Sequence, residues 1–139
     1  MIRFFRKMIP VLLLAGIFFS GCGRADRSAE LKAVIERNMR GCQEKNLELV
    51  LATLDESNHE ITRNMMTEIF ARYDLDYRLT DFRVLSVSGD TAEVEITQET
   101  RKLKGRQFTD NRVVAIHTMR RRPDGWKILA TELVRFEKL

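Results

Sequence analysis

The chain has 139 residues, with 24 lysines and arginines against 20 aspartates and glutamates, for a net charge of +4. Arg3, Arg6 and Lys7 carry part of that excess in a leading segment that reads as targeting sequence. The remainder is close to neutral, so the high pI gives no support to nucleic-acid binding. Roughly 118 residues are left for the fold, enough for one domain with one core and too few for two.

Met1 to Lys7 is basic, Met8 to Phe19 is apolar, and Ser20 and Gly21 are small, the layout of a secretory signal. The apolar run falls short of the about 20 residues that a membrane-spanning helix needs, and Pro10 sits early in it. The residues Phe19–Ser20–Gly21–Cys22 resemble the bacterial lipobox, with Phe19 where that motif usually has an aliphatic residue. The resemblance implies cleavage before Cys22 and a diacylglycerol thioether on its sulfur, and multiple acyl chains give stable anchoring. Gly23 follows, not the aspartate associated with inner-membrane retention. The expected location is therefore the bacterial cell envelope, at the outer membrane facing the periplasm if the host has two membranes. The expected organisation is a signal peptide over 1–21, a polar lipidated tether over 22–28 and a domain over 29–139. The other cysteine is Cys42, so lipid on Cys22 excludes an internal disulfide.

Leu31, Val34, Ile35, Met39 and Cys42 recur on one helical face, with Ser28 or Asp26 as cap and Gly41 near the end. Cys42 continues that stripe and reads as a small buried hydrophobe. Asn46 caps a short second helix whose apolar side is Leu47, Val50, Leu51 and Leu54. Ser57 with Glu60 has capping-box spacing for a third helix. Its stripe of Ile61, Met65, Met66, Ile69, Phe70 and Tyr73 reads as core, not as a cofactor box.

After Asp74 the period changes to that of strands. Phe82, Val84, Leu85 and Val87 form a β-rich run ending at the turn Ser88–Gly89–Asp90. Ala92, Val94 and Ile96 alternate with Glu93, Glu95 and Thr97 as in a half-buried strand, which continues in polar form to Lys102. Lys104–Gly105 gives the next turn and Phe108 to Met119 the third strand. Arg122–Pro123–Asp124–Gly125 is a turn, since proline presets φ and glycine permits positive φ. Trp126, Ile128, Ala130 and Val134 belong to a last strand running to about Phe136. Helices followed by a meander of about four strands predict an α+β fold, with the helices on one face of a curved antiparallel sheet.

Lys45–Asn46–Leu47–Glu48 opening the second helix, the hairpin Ser88 to Val94 and the closing Pro123 to Ile128 resemble the nuclear transport factor 2-like (SnoaL-like) superfamily. The resemblance covers most of residues 28–139. It implies a strongly bent sheet wrapped round a helix, with a pocket at the open end of a cone. Members include isomerases, dehydratases and cyclases, but also non-catalytic ligand-binding and assembly modules, and many pair as dimers. Fold alone leaves function open.

The catalytic dyads of those enzymes are not recognisable as motifs here, so no catalytic residue is carried over. Tyr73, Tyr77 and Asp110, with Asn111 beside it, are candidates for the rim of a cone mouth. His117 lies in a strand between apolar neighbours, where an imidazole serves as a base or, more commonly, as a hydrogen-bonded or outward-facing residue. His59 in the first turn of the third helix reads as a solvated helix end. Glu132 is a raised-pKa candidate if its strand face is inward and a sheet-surface residue if not. No spacing supports a metal site or a phosphate loop, and no cofactor is expected. The run Arg120–Arg121–Arg122 adjoins a hairpin tip, where it is solvated or meets anionic lipid or an acidic partner. The leading expectation is a non-enzymatic envelope lipoprotein that binds a partner protein or a small apolar ligand, with a homodimer an option. The alternative is an isomerase, dehydratase or cyclase using a pocket acid or base. An interaction module predicts an exposed apolar sheet face; an enzyme predicts a dry pocket with a perturbed acid or base.

Overall fold

The computed structural model describes residues 22–139. Along them run α1 (Cys22–Gln43), α2 (Leu47–Ala52), a 3-10 turn (Glu56–Asn58), α3 (His59–Arg72), β1 (Tyr73–Ser88), β2 (Thr91–Gly105), β3 (Asn111–Arg122) and β4 (Gly125–Lys138). The expected signal over 1–21 lies outside the described residues. None of the described helices is long and apolar enough to cross a membrane.

The strands form one antiparallel sheet in the order β1-β2-β3-β4, as a meander requires. Register shifts interrupt the β1–β2 pairing at three places and the β3–β4 pairing at two. Each such bulge bends its strand and adds twist, which curls the sheet round the helices into a cone. The α+β architecture predicted from the order of elements is the one observed.

Cross-strand partners share a face, so the register sorts the sheet into two surfaces. Val84, Val94, His117 and Thr131 form one row of the concave face, and Phe82, Ile96, Ala115 and Leu133 form the next. Leu31, Val34, Ile35 and Met39 of α1 pack there against Ala92, Val94, Ile96, Met119, Trp126 and Ile128. Burying each such side chain contributes about 1.5–3 kcal/mol before the entropy of ordering is set against it. The convex face is charged instead. Arg101 and Arg112 both grip Glu99, Arg112 reaches on to Glu137, Arg135 pairs with Glu137, and Arg83 pairs with Glu95.

Several local expectations change. The first helix begins at Cys22, upstream of the cap positions Asp26 and Ser28, so the segment expected as a tether is helical. The Ser57–Glu60 capping box does not form. Asp55 caps the 3-10 turn, accepting from the Ser57 backbone N–H and hydroxyl, and α3 follows from Asn58 without a side-chain cap. The α3 stripe is not core as a whole. Met66 is buried, whereas Ile61 is 70 % and Met65 54 % exposed, and Tyr73 already belongs to β1. The sheet covers only one side of this helix, which periodicity alone does not reveal. The third strand starts at Asn111, later than Phe108, because 106–110 is loop.

Two glycines set close approaches. At Gly41 a Cβ would stand 2.9 Å from Val50 Cγ2, so the α1–α2 corner closes only without a side chain. Lys45, with φ of 52°, turns the chain there, and Asn46 caps α2 by accepting from Leu49 N–H at 3.1 Å. At Gly105, φ is +111° and a Cβ would lie 2.5 Å from the Arg72 carbonyl oxygen. The far end of the helical layer is stitched to β4 by two bonds, Ile128 N–H to Thr53 O and Asp55 N–H to Ile128 O, both 2.9 Å.

Candidate functional site

The ends of α1 and α3 meet the start of β1 and the end of β2 around a cavity of about 520 Å³. Its apolar wall is Ile69, Phe70, Leu75 and Leu103; Cys42, Tyr73 and Tyr77 add a thiol and two phenols; and Gln43, Glu44, Lys45, Asp74 and Lys104 make the rest of the lining polar and charged. Each element presents these residues for a local reason. Gln43 accepts from the Tyr77 backbone N–H at 2.8 Å, which fixes α1 on β1. Lys45 donates to the Phe70 carbonyl at 2.9 Å and pairs with Asp74, clamping α3 to both. Tyr73 stacks edge-to-face on Phe108, with ring centroids 5.6 Å apart.

Burial sets the chemistry of this cavity. It pushes the Cys42 thiol up to about 11 and, aided by the neighbouring Cys42, the Tyr77 phenol up to about 12. Both keep their protons at physiological pH, so these two groups stand in the cavity as neutral donors. Asp74 is held below the usual carboxylate range by Lys45.

Of the residues singled out from sequence, the fold brings Tyr73 and Tyr77 together here and places the others elsewhere. Asp110 lies in the loop before β3, where it accepts from the Lys102 N–H at 2.8 Å through its side chain and from the Leu139 N–H through its carbonyl. Glu132 stands opposite Ile116 on the convex face. His117 lies on the concave face between Val94 and Thr131, half-buried, and shares a hydrogen bond of 2.8 Å with Thr131 Oγ1. Burial pulls its pKa down to about 4, so it is neutral near pH 7. Among the described residues its ring nitrogen meets the Thr131 hydroxyl and no carboxylate.

A second cavity, of about 430 Å³, separates α2 and the 3-10 turn from the β3–β4 hairpin. The buried Asp55 accepts there from Arg122 Nε at 2.8 Å and forms an ion pair with Arg122 at 2.7 Å; Arg122 holds its carboxyl below the usual range. His59 donates from Nε2 to the Leu54 carbonyl at 3.0 Å, which makes it a packed residue. The basic run is thereby largely neutralised. Arg122 is committed to Asp55, while Arg121 bonds Asp90 and lies 5.9 Å over the Trp126 ring. Among the described residues no cluster of His, Cys, Asp and Glu is fit to hold a metal ion.

Cys42, Ile69 and Phe70 were legible only as helical stripes; their meeting at one cavity depends on how the two helix ends converge. Asp55 gave no signal, because the capping spacing two residues later pointed to Ser57.

A curled four-stranded antiparallel sheet with its helices in the concave side, open at one end, is the nuclear transport factor 2-like fold. Solved structures agree. The chain is similar to a protein from Novosphingobium aromaticivorans assigned as an aromatic ring hydroxylase, at TM-score 0.71 and 17 % identity over 83 % of this chain and 94 % of that one. It is similar to a protein from Streptomyces avermitilis assigned as a dehydratase of the nuclear transport factor 2-like family, at TM-score 0.66 and 21 % identity over 78 % and 94 %. It is also similar to a hexachlorocyclohexane dehydrochlorinase from Novosphingobium barchaimii, at TM-score 0.65 and 15 % identity over 86 % and 94 %. None of the curated proteins matches. Residues 33–139 match the family described as the anti-sigma-I factor RsgI9, C-terminal domain, and the chain belongs to that family.

Proposed function

We propose that this protein is an envelope lipoprotein, anchored through lipid on Cys22, whose cone domain binds a small apolar ligand or a partner protein without turning it over. The observation that carries the reading is the cavity between α1, α3 and the sheet, apolar on one wall and lined by thiol and phenol donors that stay protonated. A family named for an anti-sigma factor domain supports binding over turnover. A second reading, an isomerase, dehydratase or cyclase, draws on the inward-facing His117–Thr131 pair. It requires His117 to take a proton at neutral pH, against a pKa of about 4.

Native mass spectrometry of the full chain, released from bacterial membranes in mild detergent, tests the binding reading. The expected spectrum shows an acylated chain with a co-purified small molecule, and Leu75→Trp, which fills the cavity, loses that molecule while keeping its fold by circular dichroism. An empty wild-type chain that also fails to take up a fluorescent apolar probe would sink it. Anchoring has its own readout: Cys22→Ala is expected to leave the membrane fraction, and full retention of that variant would refute lipidation as the anchor.

A further inference from the structure

The second half of β4 is exposed on both faces from Ala130 to Phe136, unlike the stretch of β3 that it pairs with. It is also a sheet edge, since among the described residues β4 pairs only with β3 along this stretch, while Thr53 and Asp55 cover the edge near Ile128. An edge strand carries a row of backbone donors and acceptors free to pair with another strand. Its concave-face side chains include Leu133 and Phe136, 60 % and 50 % exposed, placed there by their partners Ala115 and Val113. Val134 and Leu139 extend the apolar surface.

We infer that this edge pairs with the same edge of a second copy, antiparallel about a two-fold axis between Leu133 and Val134, joining two sheets into one of eight strands. The choice of a second copy rests on charge complementarity. Glu132 and Arg135 both point to the convex face, as their partners Ile116 and Val114 show. About this axis Glu132 faces the other copy's Arg135, twice by symmetry, while Thr131 faces Phe136 on the concave side. A shift of the axis by one residue, to lie between Val134 and Arg135, also matches faces for most pairs. That shift sets Glu132 against Glu137 in both halves, and like charges directly opposite are unfavourable. The β4 bulge lies between the partners of Val114 and Ala115, so it falls at the axis in both strands and each irregularity meets its copy.

Sedimentation velocity of the full chain in detergent reads this directly. The wild type is expected to form dimers. Glu132→Arg alone and Arg135→Glu alone each set like charges opposite one another and are expected to weaken self-association by about tenfold to thirtyfold. Mixed together, the two variants restore both attractive pairs and are expected to form a mixed dimer near wild-type affinity. That recovery cannot come from a folding defect in either chain. A monomeric wild type overturns the proposal, as does a dimer that both single variants leave intact, or a failure of the mixture to recover. A monomeric wild type that instead takes up an extended peptide along β4 would assign the edge to a different partner.

Discussion

Removing the Arg122 guanidinium tests whether one buried carboxylate holds the helical layer to the hairpin. Asp55 is 4 % exposed, and two of its contacts come from Arg122 at 2.7 and 2.8 Å; Ser57 supplies the rest. Arg122→Ala leaves the carboxylate without its strongest donors, and stranding a buried acceptor costs about 1–3 kcal/mol, more when it is charged. Because Arg122 is itself nearly half exposed and water can enter in its place, about 2 kcal/mol is the working figure. For a domain of this size that lowers Tm by roughly 6–12 °C. Asp55→Asn keeps the shape and loses the charge, so it is expected to fall between the two. The pH dependence has a fixed sign. A carboxyl held below its usual pKa adds stability that is present above about pH 4 and is lost as pH falls through the lowered folded value. The gap in Tm between wild type and Asp55→Asn should therefore close in acid. Differential scanning calorimetry from pH 7 to pH 3 measures both effects. An Arg122→Ala Tm within about 2 °C of wild type at pH 7 would show that Asp55 does not depend on Arg122 for its burial.

His117 gives a second titration of the same sign: its folded pKa of about 4 lies below the ordinary 6.5, so stability should fall as pH drops between those values. The imidazole proton resonance should show a midpoint near 4, and one near 6.5 would mean the ring is solvated. Gly105→Ala forces a Cβ to 2.5 Å from the Arg72 carbonyl at a φ of +111°, and should lower stability by about 1–3 kcal/mol in urea unfolding; an unchanged midpoint would show that the α3–β2 crossing yields. Cys42, in a chain carrying Cys22→Ala, should react with iodoacetamide at pH 8 roughly a hundredfold more slowly than a free thiol, because its pKa is about 11. Labelling at the rate of the unfolded chain would place it outside the cavity wall.

The architecture was readable because two periods announce themselves: 3.6 in Leu31, Val34, Ile35 and Met39, and 2 in Ala92, Val94 and Ile96, the residues that form the core. What failed was whatever depends on the neighbour rather than the pattern. Ile61 and Met65 have the spacing of core residues, yet among the described residues no element covers that side of α3. On the convex side of the sheet Glu99, Arg112 and Glu137 form a ladder across three strands, a charged pattern that alternation alone did not announce. The register shifts that bend the sheet were not legible, because no residue pattern marked them. Tyr73 and Tyr77 were marked by position after a helix, and the cavity they share exists because Lys45 and Gln43 draw two distant helix ends to one strand.

The early start of α1 changes what anchoring at Cys22 would mean. A helix rises 1.5 Å per residue, so the nine residues from Cys22 to Leu31, the first core residue, form a stiff arm of about 14 Å. A disordered leash lets a domain tumble; an arm of fixed length and fixed helical phase holds it at one height with one side toward the bilayer. Each residue inserted into that arm would swing the domain through about 100° as well as lifting it. Orientation over the membrane would then be written in the number of residues between Cys22 and Leu31, not in their identity.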